Sequence, residues 1–114
     1  MESILTSIKK LLGPGEDDTQ FDDDITIFIN GAIMRLNQLG IGPSGGYSIT
    51  SKDNNWDELI GTRKDLDAVK TYIYLKVRLV FDPPQSGFLV DAIKGQITEL
   101  ESTLNIQAEG GAIT

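Results

Sequence analysis

The stretch YIYLKVRLVFDPPQSGFL, residues 72–89, constrains the fold more than any other part of the chain. From Arg63 or Lys64 to Phe81 the sequence reads as one helix, with Thr62 placed to cap it. At about 100° per residue, Leu66, Ala68, Val69, Tyr72, Ile73, Leu75, Val77, Leu79, Val80 and Phe81 fill well over half of its circumference. A helix that apolar has to be central, with partners on several sides. Asp67, Lys70, Thr71, Tyr74 and Arg78 hold the narrow polar stripe. Lys76 projects inside the apolar arc, which suits either a snorkelling side chain or a pairing with a carboxylate of a neighbouring subunit. Asp82-Pro83-Pro84 then stops the helix, because proline cannot continue it and Pro84 biases Pro83 away from helical angles. With Gln85-Ser86-Gly87 the stretch makes a stop, a turn and a restart, Ser86 being a candidate cap. This elbow sets the angle between two core helices.

The remaining helices are those such a centre needs. Ser3 to Leu12 places Ile4, Leu5, Ile8, Leu11 and Leu12 at helical spacing, and Gly13-Pro14-Gly15 ends it. Ile25 to Leu39 gathers Ile25, Phe28, Ile29, Ala32, Ile33, Leu36 and Leu39 on one face. Asp22, Asp23 and Asp24 precede it, where carboxylates cap free N–H groups and complement the helix dipole. Gly40 is placed to cap its end, and Gly31 in its middle suits a close helix crossing. A last helix, from about Phe88 to Leu104, carries a stripe of Leu89, Val90, Ile93, Ile97, Leu100 and Leu104.

Residues 40–61 are irregular, with YSIT a candidate short strand and NNWDELI a candidate helical turn that packs down through Trp56, Leu59 and Ile60. A connection this long in a small domain is functional or disordered. From Asn105 onward the chain is polar, glycine-rich and without periodicity, a tail that stays free unless a partner orders it. The predicted fold is therefore all-α: a small four-helix bundle over residues 1–104, with a long irregular loop between helices 2 and 3 and a flexible C-terminal tail, 105–114.

The chemistry on offer is sparse. The 114 residues make one domain with a modest core. With no cysteine, disulfides and thiolate metal sites are excluded. With no histidine, the commonest general base and every imidazole triad go as well. A net charge of −7 disfavours binding to nucleic acid through its phosphates. The charge is unevenly placed: residues 1–24 are acidic, whereas Arg63, Lys64, Lys70, Lys76 and Arg78 make residues 62–80 basic. Such asymmetry suits a protein that stacks head to tail on copies of itself, and equally two solvated faces of a monomer.

No apolar run approaches the roughly 20 residues that cross a bilayer. Met1 to Leu12 intersperses acid and base and lacks a small-residue cleavage site, so it does not read as a signal peptide. The acidic cluster Glu16, Asp17, Asp18, Asp22, Asp23 and Asp24 is the best candidate for a cation site, but it lacks the ligand alternation, turn glycine and distal glutamate of an EF-hand. A solvated loop with capping carboxylates accounts for it. GPSGGYS lacks the lysine and preceding strand of a phosphate loop. Neither Asp57/Glu58 nor Asp65/Asp67 is marked as a buried acid–base pair, and Tyr72 and Tyr74 beside cations resemble a stacking surface only superficially on so acidic a chain.

The order of parts is more telling than any motif. A short helix, an acidic linker, a helix ending RLNQLGI, a long loop, the YIYLKVRLVFDPP helix and a final AIKGQITELESTLN helix together resemble the head–tail connector, or adaptor, proteins of long-tailed bacteriophages. The resemblance spans residues 1–105, and its most specific pieces are the central helix running into Asp82-Pro83-Pro84 and the final helix with Glu99, Leu100, Glu101 and Leu104. It implies a structural protein, without enzymatic activity, metal or cofactor, made in the host bacterial cytoplasm and located in the virion neck.

Roughly a dozen copies would form a closed ring below the portal protein. That ring would extend the DNA channel, letting DNA pass without specific binding, and offer a platform to the next neck or stopper protein, with no membrane contact. The expected subunit interface comprises Tyr72, Lys76, Leu79, Arg63, Lys64, Asp22 and Asp23, and the expected portal-docking tail Asn105, Ile106, Gln107 and Ile113. Asp82, Pro83 and Pro84 form the structural elbow that aims it. Two other readings fit the composition: a small acidic antirepressor or inhibitor that masks a basic partner surface, and a metal- or carboxylate-dependent enzyme using the acidic loop.

Overall fold

The helices begin and end where local chemistry permits. The computed structural model describes residues 2–13, 18–61 and 66–113. Helix α1, Ile4–Leu12, starts on Ser3, whose hydroxyl accepts from Thr6 N at 3.2 Å. Helix α2, Asp22–Gln38, starts one turn earlier than its apolar pattern, because Ile25 N–H already donates to Phe21 O at 2.9 Å. Asp22, Asp23 and Asp24 therefore lie inside the first turn and complement the dipole; they do not cap it, and Phe21 stands at the cap position without a side-chain bond. At the other end Gly40, with φ +95°, lets Ile41 N–H reach Leu36 O at 2.9 Å while its own N–H bonds to Asn37 O at 3.1 Å. This is a Schellman turn, and its apolar pair, Leu36 and Ile41, is fully buried.

Helix α4, Leu66–Phe81, is the hub. It packs on α1, on α2 and on α5, Gly87–Ile113, and buries Val69, Tyr72, Ile73 and Val77 completely. Thr62, Arg63 and Lys64 lie outside the described residues. Beyond Phe81 the elbow turns over residues 82–86, and Ser86 caps α5 by accepting from Leu89 N at 3.4 Å through its hydroxyl. The Phe21 and Phe81 rings meet edge to face at 5.3 Å, tying the start of α2 to the end of α4.

Two further expectations need correction. The helix expected to end at Leu104 continues through Asn105, Ile106 and Gln107 to Ile113. Asn105 Nδ2 donates to Leu39 O at 3.2 Å and Ala108 packs on the core, so residues without a visible stripe still gain tertiary contacts. No proline interrupts them, and Gln107, Ala108 and Glu109 are good helix formers. At about 1.5 Å per residue, the 27 residues of α5 account for most of the 43 Å long dimension of the molecule.

The second correction concerns YSIT, which forms no strand. Both backbone groups of Ile49 are taken by one side chain: Asn30 Oδ1 accepts from Ile49 N at 2.8 Å, and Asn30 Nδ2 donates to Ile49 O at 3.0 Å. The expected turn of NNWDELI is present as α3, Trp56–Ile60, with Trp56, Leu59 and Ile60 buried. It is stitched to α1 by Ile4 N to Asn54 O at 3.0 Å and by Trp56 Nε1 to Ser7 Oγ at 3.0 Å.

Candidate functional site

With so little reactive chemistry in the sequence, the features able to act are surfaces, and burial decides which they are. Tyr72 is fully buried, and its hydroxyl donates to Glu101 Oε2 at 2.6 Å. That places it in the core, holding α4 to α5, and not on a face open to a neighbour. Arg35 completes the group from α2, with Nη2 3.4 Å from Glu101 Oε1. Lys76, one turn on, is half-buried with Nζ 6.0 Å from the centre of the Tyr72 ring, a cation–π approach. Leu79 is partly buried against the core.

The acidic segment divides in two. Asp22 faces inward to the buried Lys9, with Nζ 2.8 Å from Oδ1, and Glu2 pairs with Lys10 at 2.9 Å. Asp23 and Asp24 face solvent. Among the described residues no three carboxylates converge to hold a metal ion, while Glu16 and Asp17 lie outside those residues. In the expected docking segment, Asn105 is half-buried on Leu39, Ile106 and Gln107 are exposed, and Ile113 lies at the end of α5.

Two surface features were not anticipated. Phe88 and Leu89, the latter part of the expected core stripe of the last helix, are exposed, as is Val80 on α4. All three flank the Pro83-Pro84 elbow, where α5 has not yet settled onto the core. On the far side of α2, Ile27 and Met34 are exposed around Gly31, and with Tyr47 they line an open groove of about 720 Å³. Gly31 thus makes no close helix crossing; nothing lies within 4 Å of where its Cβ would be. The spacing of Ile27, Gly31 and Met34 along one outer stripe was the legible signal for this groove.

Burial, then the hydrogen bond to Glu101 and its charge, push the Tyr72 hydroxyl well above its ordinary value. Burial acts upward on Glu101, but the bonds from Tyr72 and Arg35 and the positive charge of Arg35 outweigh it and hold the carboxyl below the usual range. Tyr47, by burial and by its bond to Glu58, is pushed up to about 12. For a phenol with a raised folded pKa the stabilisation is complete below about pH 10, where unfolded tyrosine ionises, and is lost as pH rises further. For Glu101, with a depressed folded pKa, it is present above about pH 4.3 and lost as pH falls below. Tyr72→Phe should therefore lower stability at neutral pH by about 1–3 kcal/mol, through the donor lost to Glu101, and flatten the alkaline decline. Urea midpoints at neutral and alkaline pH check both; an unchanged alkaline slope would refute the assignment to Tyr72.

No described helix is long and apolar enough to cross a membrane. Neither the comparison with curated proteins nor that with solved structures gives a match. The model of one protein family, described as Phage connector protein, matches residues 4–111, nearly the whole helical chain from α1 to the last turns of α5. The chain thus belongs to the phage connector protein family, structural proteins of the phage head–tail neck.

Proposed function

We propose that this chain is a head–tail connector, or adaptor, subunit that assembles as a closed ring below the portal, extends the DNA channel and offers a platform to the next neck protein. The observation that carries this reading is apolar surface left over after the core is complete: Val80, Phe88 and Leu89 at the elbow, Ile27 and Met34 on α2. A monomer gains nothing from such surface, whereas an assembling subunit buries it. The net charge of −7 suits a channel lining that repels phosphates, so that DNA slides without adhering. The exposed Ile106 and Gln107, on the far part of a helix aimed by the Asp82-Pro83-Pro84 elbow, suit portal docking. Weak contacts of that kind hold when many copies act together.

Quantifying the chain by mass spectrometry in washed, DNA-filled particles of its phage tests the reading. A copy number close to that of the portal protein is the expected result. Absence from particles, with abundance in infected cells, would overturn it and favour the acidic binder that masks a basic partner surface.

A further inference from the structure

Two apolar surfaces of this chain face solvent without cover from their own fold. The first flanks the elbow: Val80 near the end of α4 and Phe88 and Leu89 at the start of α5, with Phe88 81% exposed. The second is the outer stripe of α2, where Ile27 and Met34 are 65% and 63% exposed on either side of Gly31. Residues 45–48 wall this groove, and the bare Gly31 backbone deepens it. The two surfaces cannot cover each other within one subunit. Helix α2 turns Ile25, Ile29, Ala32, Ile33 and Leu36 into the core, so Ile27 and Met34 point away from the helices that carry the elbow.

We propose that Phe88, with Val80 and Leu89, inserts into the Ile27–Gly31–Met34 groove of the next copy of this chain. The inference rests on the ring reading above and names the contact that would build the ring. Charge selects a second copy as the occupant. Lys76 precedes Val80 by one helical turn; its charge acts on Glu101 and the Tyr72 ring of its own subunit but closes no ion pair among the described residues, and Asp23, which precedes Ile27 by one turn, closes none either. Lys76 and Asp23 thus stand one turn before Val80 and Ile27 with opposite signs, while the exposed Asp82 and Asp91 flank Phe88 in sequence. On docking, Lys76 of one copy meets Asp23 of the next, while Asp22 stays with Lys9 in its own subunit. Shape agrees: an aromatic side chain stands on one surface and a glycine-floored groove opens on the other. Because the two patches differ, the contact is heterologous, and a fixed rotation repeats it until the ring closes.

The absence of cysteine makes the test direct. A chain carrying both Phe88→Cys and Met34→Cys, assembled on the portal and treated with a short bismaleimide, should give a ladder of covalent oligomers, and either substitution alone should not. Phe88→Asp, at an exposed position, should keep the helical circular dichroism yet lower occupancy of the portal by about tenfold or more, as loss of an interface anchor does. Lys76→Asp should weaken assembly, and adding Asp23→Lys should restore it. Full rings of Phe88→Asp, no ladder at wild-type occupancy, or a cross-link from Phe88→Cys to the portal instead would overturn this contact and leave the connector reading standing. Failure of the unaltered chain to join the portal would overturn both.

Discussion

Trp56→Ala should lower the free energy of unfolding by about 3–5 kcal/mol, the usual loss for a large aromatic side chain truncated in a core. Natural domains hold only about 5–15 kcal/mol in total, so the variant should lose a large share of its stability. Trp56 is buried in the same cluster as Ile4, Leu5, Ile8, Leu59 and Ile60. It also carries one of the two hydrogen bonds that tie the α3 segment to α1. A helix of five residues has no stability of its own. Its first turn is helped by Glu58, whose Oε1 accepts from Asn55 N at 2.9 Å, and the indole keeps it in place together with the bond from Ile4 N to Asn54 O and the buried Leu59 and Ile60. Ser7 Oγ donates to Ser3 O at 2.7 Å and accepts from Trp56 Nε1, so the buried polar group is satisfied on both sides.

Trp56→Phe separates the two contributions. It keeps most of the packing, removes the donor to Ser7, for about 1 kcal/mol, and leaves a small cavity where the indole was larger than phenyl. Urea unfolding followed by circular dichroism measures both variants. Similar losses for Phe and Ala would mean that the indole's full size and its N–H, and not an aromatic ring in general, anchor α3.

How far the sequence revealed this molecule depends on whether a residue acts along its own helix or across the fold. The centrality of α4 was legible because ten apolar residues cover most of one helix, although Val80 among them stays exposed. The helix ends were nearly legible, since Ser3, Gly13 and Gly40 act on neighbours in sequence. What periodicity could not show were the long-range bonds. Asn30 meets Ile49, Tyr72 meets Glu101 and Asn105 meets Leu39, each pair far apart in the chain. The last of these, with Ala108 on the core, is why the expected tail is part of α5.

The surfaces were hidden for a related reason. A stripe such as Leu89, Ile93 and Ile97 marks an apolar face but not where its cover ends. Only packing reveals that Ile97 is buried and Leu89 is not. Lys9 illustrates the opposite case: a lysine in the last turn of a helix suits the dipole, yet here it is buried on Asp22.

The second large effect is expected at Asn30, and it joins stability to the proposed assembly surface. Its side-chain amide does for Ile49 what a neighbouring strand would do, pairing the N–H and the carbonyl of a buried residue at 2.8 and 3.0 Å. Asn30→Leu would leave both groups without partners, at a cost of about 2–4 kcal/mol for two orphaned backbone groups. Asn30→Asp offers an acceptor for the N–H but sets a carboxylate against the carbonyl, so it should not rescue the loss. Residues 45–48, which wall the α2 groove, lie directly before Ile49, so releasing this clamp should loosen the wall first. Native-state hydrogen exchange should then show the Ile49 amide losing most of its protection while amides in α4 lose only what global destabilisation dictates. A loss shared equally by α4 would place Asn30 among ordinary core supports. Local opening would make it the residue that keeps the groove shaped to receive a neighbour.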